Sequence, residues 1–174
     1  MNTLRSWLTQ LQRRARNRTA HHLEAWFHAI SQAHAQCVAS LGIRRAPEDL
    51  GQLLDRVDLP LARCHNHEAA ARRAVRRRYP ELARQIGELT SQACTLRNLF
   101  FTYLVRWGAL RDLSRPAINA RRQMEEARLR VSVAARALAA GLEAVAEPIR
   151  ALVNAWRSPP GPDGAQSQGR ESRH

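Results

Sequence analysis

Cys64-His65-Asn66-His67 gathers three metal-ligating side chains into four positions, and His34 lies one helical turn from Cys37 earlier in the chain. Thiolate and imidazole are ligands for zinc, but these spacings match no standard finger, and only the fold could converge them. No metal is expected. The carboxylates offer little more. Glu125 and Glu126 are adjacent and so point to different faces of a helix, whereas Glu143 and Glu147 share a face beside Arg150 as ordinary ion pairs do. Glu24 and His28 stand one residue further apart than the Glu-x-x-His of a di-iron bundle. The chain has no lysine, which removes the P-loop, the Schiff base and the kinase nucleotide lysine, and no G-x-G-x-x-G occurs. The expectation is a protein with no catalytic residue and no cofactor.

Arginine is the residue type whose placement does suggest chemistry. All 28 basic residues are arginine and they outnumber 15 acids, giving a formal charge of +13. A forked guanidinium suits phosphate oxygens, so this balance points to anionic partners. The excess is unevenly distributed. Residues 1–41 carry five arginines against one acid, 66–80 five against one, and 114–157 eight against four. Two clusters follow as candidate phosphate-backbone contacts: Arg13, Arg14, Arg16 and Arg18, and then Arg72, Arg73, Arg76, Arg77 and Arg78.

Those clusters must be held by helices. From Pro80 to Leu113 the residues Leu82, Ile86, Leu89, Ala93, Leu96, Phe100, Tyr103, Trp107 and Leu110 recur at alternating spacings of four and three, which is a helical seam. Pro80 and Glu81 open it and Pro116 closes it. Because 99–110 is apolar nearly all round, this segment is expected to be the central helix, surrounded by others. A first long helix is expected from Thr3 as N-cap to Gly42, through Leu4, Leu8, Leu11 and Ala15 and then Leu23, Trp26, Phe27, Ile30, Ala33, Cys37, Val38 and Leu41. Two short helices are expected between. One starts at Pro47-Glu48-Asp49, buries Leu50, Leu53, Leu54 and Val57, and stops at Asp58-Leu59-Pro60. The other runs from Asn66 as cap to Arg78, with Ala69, Ala70, Ala74 and Val75 inward. A last long helix follows Pro116, with its seam at Leu138, Leu142, Val145, Ile149, Leu152 and Trp156, and Pro148 should kink or break it near Ala146.

The arginine run followed by Leu82, Leu89 and Leu96 resembles a basic leucine zipper over about a quarter of the chain, but Tyr79-Pro80 interrupts the continuous helix a zipper requires. No family is assigned on it. The acid-free stretch 1–23 shares its pattern with organellar presequences, yet the helix pattern continues past a usual cleavage region. Three scattered cysteines without C-x-x-C suggest a reducing compartment, and no run is long and apolar enough to span a membrane, so the expected location is cytoplasmic.

The sequence therefore predicts an all-α protein: an antiparallel bundle of three long helices with two short helices in one domain, 1–157, and a disordered tail, 158–174, rich in Pro, Gly and Ser. The expected function is non-enzymatic binding of nucleic acid, DNA or RNA, or service as a nucleoprotein accessory factor. The alternative is a helical scaffold or adaptor that meets a protein partner, or a second copy as a homo-oligomer, through exposed parts of the Leu138 to Trp156 seam.

Overall fold

In the computed structural model, residues 2–42, 49–111 and 118–158 are described, and every element among them is helical. There are four helices: α1 (Asn2–Leu41), α2 (Leu50–Val75), α3 (Pro80–Arg111) and α4 (Ile118–Arg157). The Pro116 boundary and the tail beyond Ser158 lie outside the described residues.

Each helix packs on its two neighbours in a closed square, α1 on α2, α2 on α3, α3 on α4 and α4 on α1. The α1 and α3 pair touch lightly across one diagonal, and among the described residues α2 and α4 do not meet. Cross-links show that neighbours run antiparallel. His22 meets His67, Asp58 meets Arg97 while Cys64 meets Thr90, Arg106 meets Gln123, and Glu24 meets Arg157 while Leu41 meets Arg128. The bundle is therefore up-down-up-down, as short connections favour.

The α3 seam is core as expected. Leu82, Ile86, Leu89, Ala93, Leu96, Phe100, Tyr103 and Trp107 are all buried, with Leu110 half-buried. The helix is not central, however. Phe101 and Val105 face outward at 45% and 53% exposure, because α3 is one corner of a square of peers and has an outside.

The two expected short helices are one. Asp49 caps α2, its Oδ1 accepting from the Gln52 amide at 3.1 Å, and the helix then continues through Pro60 to Val75. An interior proline costs about 3 kcal/mol through its missing N–H and its clash with the preceding turn. Here Pro60 lies within a buried stripe of Leu53, Val57, Pro60, Leu61, Cys64, Ala71 and Val75, and burial of that stripe between α1 and α3 outweighs the local cost. Asn66, expected as a cap, is an exposed mid-helix residue. Likewise α4 is unbroken through Pro148, which is exposed while Val145, Ile149 and Val153 stay buried. Thr3 lies inside α1, one residue past its start.

The α4 seam is consumed by the core. Leu138, Leu142, Val145 and Ile149 are buried, and Leu152 and Trp156 at its C-terminal end are half-buried. Gly141 lets α3 come close, since a Cβ there would stand 2.5 Å from Leu89 Cδ2. At the middle, Trp26 of α1 reaches across the diagonal and donates from Nε1 to Thr90 Oγ1 at 3.0 Å. That hydroxyl in turn donates to the Ile86 carbonyl at 2.9 Å. The buried indole is thus satisfied, and it ties opposite corners of the square.

Candidate nucleic-acid interface

The suspected metal ligands diverge. On a continuous helix, residues 64, 65 and 67 point in three directions. Cys64 turns inward to Thr90 at 3.9 Å, His65 outward to Cys94 Sγ at 3.4 Å, and His67 toward α1. His34 donates to the Ala135 carbonyl while Cys37 is buried in the core. Among the described residues no group of three His, Cys, Asp or Glu is placed to hold a metal ion.

Cys94, His65 and Glu68 do line up as thiol, imidazole and carboxylate, with His65 Nδ1 3.8 Å from Glu68 Oε2. The arrangement lacks the electrostatics of a nucleophile. Burial, and then the nearby Glu68, push the Cys94 thiol above its ordinary value, and Glu68 is shared with Arg72 at 3.3 Å. The amides around Cys94 lie in mid-helix and are spent on helical hydrogen bonds, so they are not free to serve as oxyanion donors.

The arginines converge where the sequence did not require it. Arg14, Arg18 and His22 follow one another at intervals of four and form a stripe on α1. Antiparallel to it, α2 presents Ala70, Arg73 and Ala74. Together with Leu11, Ala15 and Thr19 they line a groove of about 640 Å³. Its lining thus combines three guanidiniums with small and apolar side chains and His22. A second groove of about 660 Å³ lies on the other side of α2, lined by Ala69, Arg72, Arg73, Arg76, Pro80, Ala83 and Arg84. Arg73 belongs to both, so the two grooves form one basic surface that wraps the α1, α2 and α3 end of the bundle.

The expected site residues therefore divide. Arg14, Arg18, Arg72, Arg73 and Arg76 line the grooves, while Arg13 and Arg16 are exposed on faces of α1 turned away from them, Arg77 and Arg78 are exposed in the turn after α2, and these four line neither. Arg72 is partly neutralised by Glu68, and its guanidinium lies across Gly87 of α3, with Cζ 3.2 Å from where a Cβ would be. Arg73 Nε donates to the Ala69 carbonyl at 3.2 Å, which fixes the start of the fork. Among the described residues no carboxylate pairs with Arg14, Arg18, Arg73, Arg76, Arg77 or Arg78.

Sequence reasoning missed the histidines of this site. The rings of His21, His22 and His67 lie 5.3 to 5.8 Å apart, and the Nδ1 atoms of His22 and His67 are 3.0 Å apart. Burial first, then His67, His21, Arg18 and Arg73, hold the His22 imidazole below its ordinary value. The signal in the sequence is the stripe of Arg14, Arg18 and His22; its partner His67 is 45 residues away and stands in sequence beside Cys64 and His65. Comparison with protein-family models, with curated proteins and with solved structures finds no match to this chain.

Proposed function

We propose that this protein is a non-enzymatic nucleic-acid-binding or nucleoprotein accessory factor that grips the phosphate backbone at the α1, α2 and α3 end. The observation that carries the reading is the pair of grooves sharing Arg73, with Arg14, Arg18, Arg73 and Arg76 all lacking a carboxylate partner among the described residues. Like charges crowded on adjacent turns repel one another, and an anion in the grooves relieves that repulsion. Polyphosphate backbones fit because contacts of this kind need positive forks at intervals along a surface and no deep pocket. Backbone contact by itself carries no base information, so binding should be insensitive to sequence.

The test is a binding titration on unrelated oligonucleotides at several salt concentrations, comparing wild type with a variant in which Arg73, Arg76 and Arg77 are all changed to Gln. Each lost phosphate contact should lower the slope of log affinity against log salt by about one unit. Arg77 stands beside the grooves, so a loss of three units means that the backbone runs past their rim, and a loss of two that it stays inside. Equal slopes for both proteins would remove this site, and a wild type that binds no nucleic acid would return the case to a protein adaptor.

A further inference from the structure

The α1/α2 groove has a feature that phosphate binding alone does not call for: a hydrogen-bonded histidine pair at its inner end. With His22 and His67 Nδ1 atoms 3.0 Å apart, one ring must donate its Nδ1–H and the other must offer a lone pair. The donor ring can take a second proton on Nε2, becoming imidazolium, and keep the bond. A further proton on the acceptor ring would leave two N–H groups facing each other and break it. The pair is therefore built to accept one proton.

Burial first, and then the positive neighbours, resist that proton. From α1 the pair is faced by Arg18 and His21, and from α2 by Arg73; Arg14 lies further along the groove, and none of the groove's lining residues is a carboxylate. The same positive field opposes a dication, so a metal is a poor occupant. A phosphate between Arg14, Arg18 and Arg73 offsets part of that positive field at the imidazoles and so favours the charged form relative to the empty groove.

We propose that anion binding in the α1/α2 groove is coupled to uptake of one proton by the His22–His67 pair, so that the groove holds a nucleic-acid phosphate more tightly as the medium acidifies through the histidine range. The inference rests on the backbone-binding reading above and adds its regulation. Binding of one proton with the phosphate makes affinity rise by up to about tenfold per pH unit over that range.

The experiment uses the full chain and a mixed-sequence oligodeoxynucleotide with hydroxyl ends, so that the probe does not itself titrate between about pH 5.5 and about pH 8. Affinity is measured across that range at constant ionic strength. Wild type should gain affinity several-fold on acidification, and His22→Gln with His67→Gln should flatten the dependence, with circular dichroism checking the fold at both ends. Because the double variant is at risk of losing the α1/α2 contact, calorimetry of wild type in two buffers of different ionisation enthalpy supplies a second reading. A net uptake of a fraction of a proton per bound groove at about pH 6.5 supports the coupling. Affinity independent of pH, identical heats in both buffers, or a full pH dependence in a folded double variant would overturn the coupling. Salt-sensitive binding without pH dependence sinks the coupling alone, whereas no binding at any pH sinks the backbone-binding reading with it.

Discussion

The ion-paired arginines of α4 and the arginines of the α1/α2 groove answer the same electrostatic problem in opposite ways. On α4, Arg130 reaches Glu126 at 2.5 Å and Arg150 reaches Glu147 at 2.6 Å, each one turn away on the same helix. At the α1/α2 end, Arg14, Arg18 and Arg73 line a groove together with Ala15, Ala70 and Ala74, with no carboxylate among the lining residues. Local pairing discharges a surface, while a shared groove without acids concentrates positive potential where an extended anion can collect it. What separates the two regions is thus where the fifteen acids are spent.

Both regions stand on one core, so the severest way to erase the contrast is to remove that core. Phe100→Asp leaves a carboxylate at a fully buried position without a partner and should cost about 4 kcal/mol or more, with loss of the helical circular-dichroism signal. An unchanged melt would show that the α3 seam is not the framework. Next in size is the charge-matched control for the grooves. Changing Arg130, Arg136 and Arg150 to Gln removes as many charges as the groove variant but should alter the salt slope of binding by less than about one unit. An equal loss from either triple would mean that only total charge matters and that the contrast is empty.

A paired arginine inside the bundle sharpens the comparison further. Arg97 of α3 grips Asp58 of α2 with two hydrogen bonds of 2.8 Å, and both side chains are only partly exposed. Asp58→Asn should cost about 1 to 2 kcal/mol after discounting for solvent screening. The hydrogen bond from Arg97 holds the Asp58 carboxyl below its ordinary 3.8, against burial. Its contribution is therefore complete above about pH 3.8 and is lost as pH falls through the lower folded value. Urea midpoints across the acid range should show that limb in wild type and lack it in the variant.

The smallest effect concerns the groove when empty. The folded His22 imidazole titrates below its unfolded 6.5, so the unfolded chain binds more protons, and stability should fall as pH drops from 6.5 toward that lower value. His22→Gln should remove this part of the decline. A urea midpoint that holds steady from about pH 7 to about pH 5.5 in wild type would contradict the burial and the positive neighbours that hold this imidazole down.

Sequence by itself determined what depends on period. Leu82 through Trp107 on α3 and Leu138 through Ile149 on α4 were readable as buried seams because a helix repeats every 3.6 residues and one face must leave water. The two arginine clusters were visible as counts. Tertiary structure decided the rest. Whether Pro60 ends a helix depends on what lies on either side of α2, and burial between α1 and α3 carries the helix through. Phe101 and Val105 face water because a fourth long helix, formed by merging two expected short ones, makes a square with no central position. The join between Arg18 and Arg73, and between His22 and His67, has no local signature. Residues 45 or more apart become neighbours only when antiparallel packing sets the register of α1 against α2, and that register is fixed by the buried stripes, not by the charged residues it brings together.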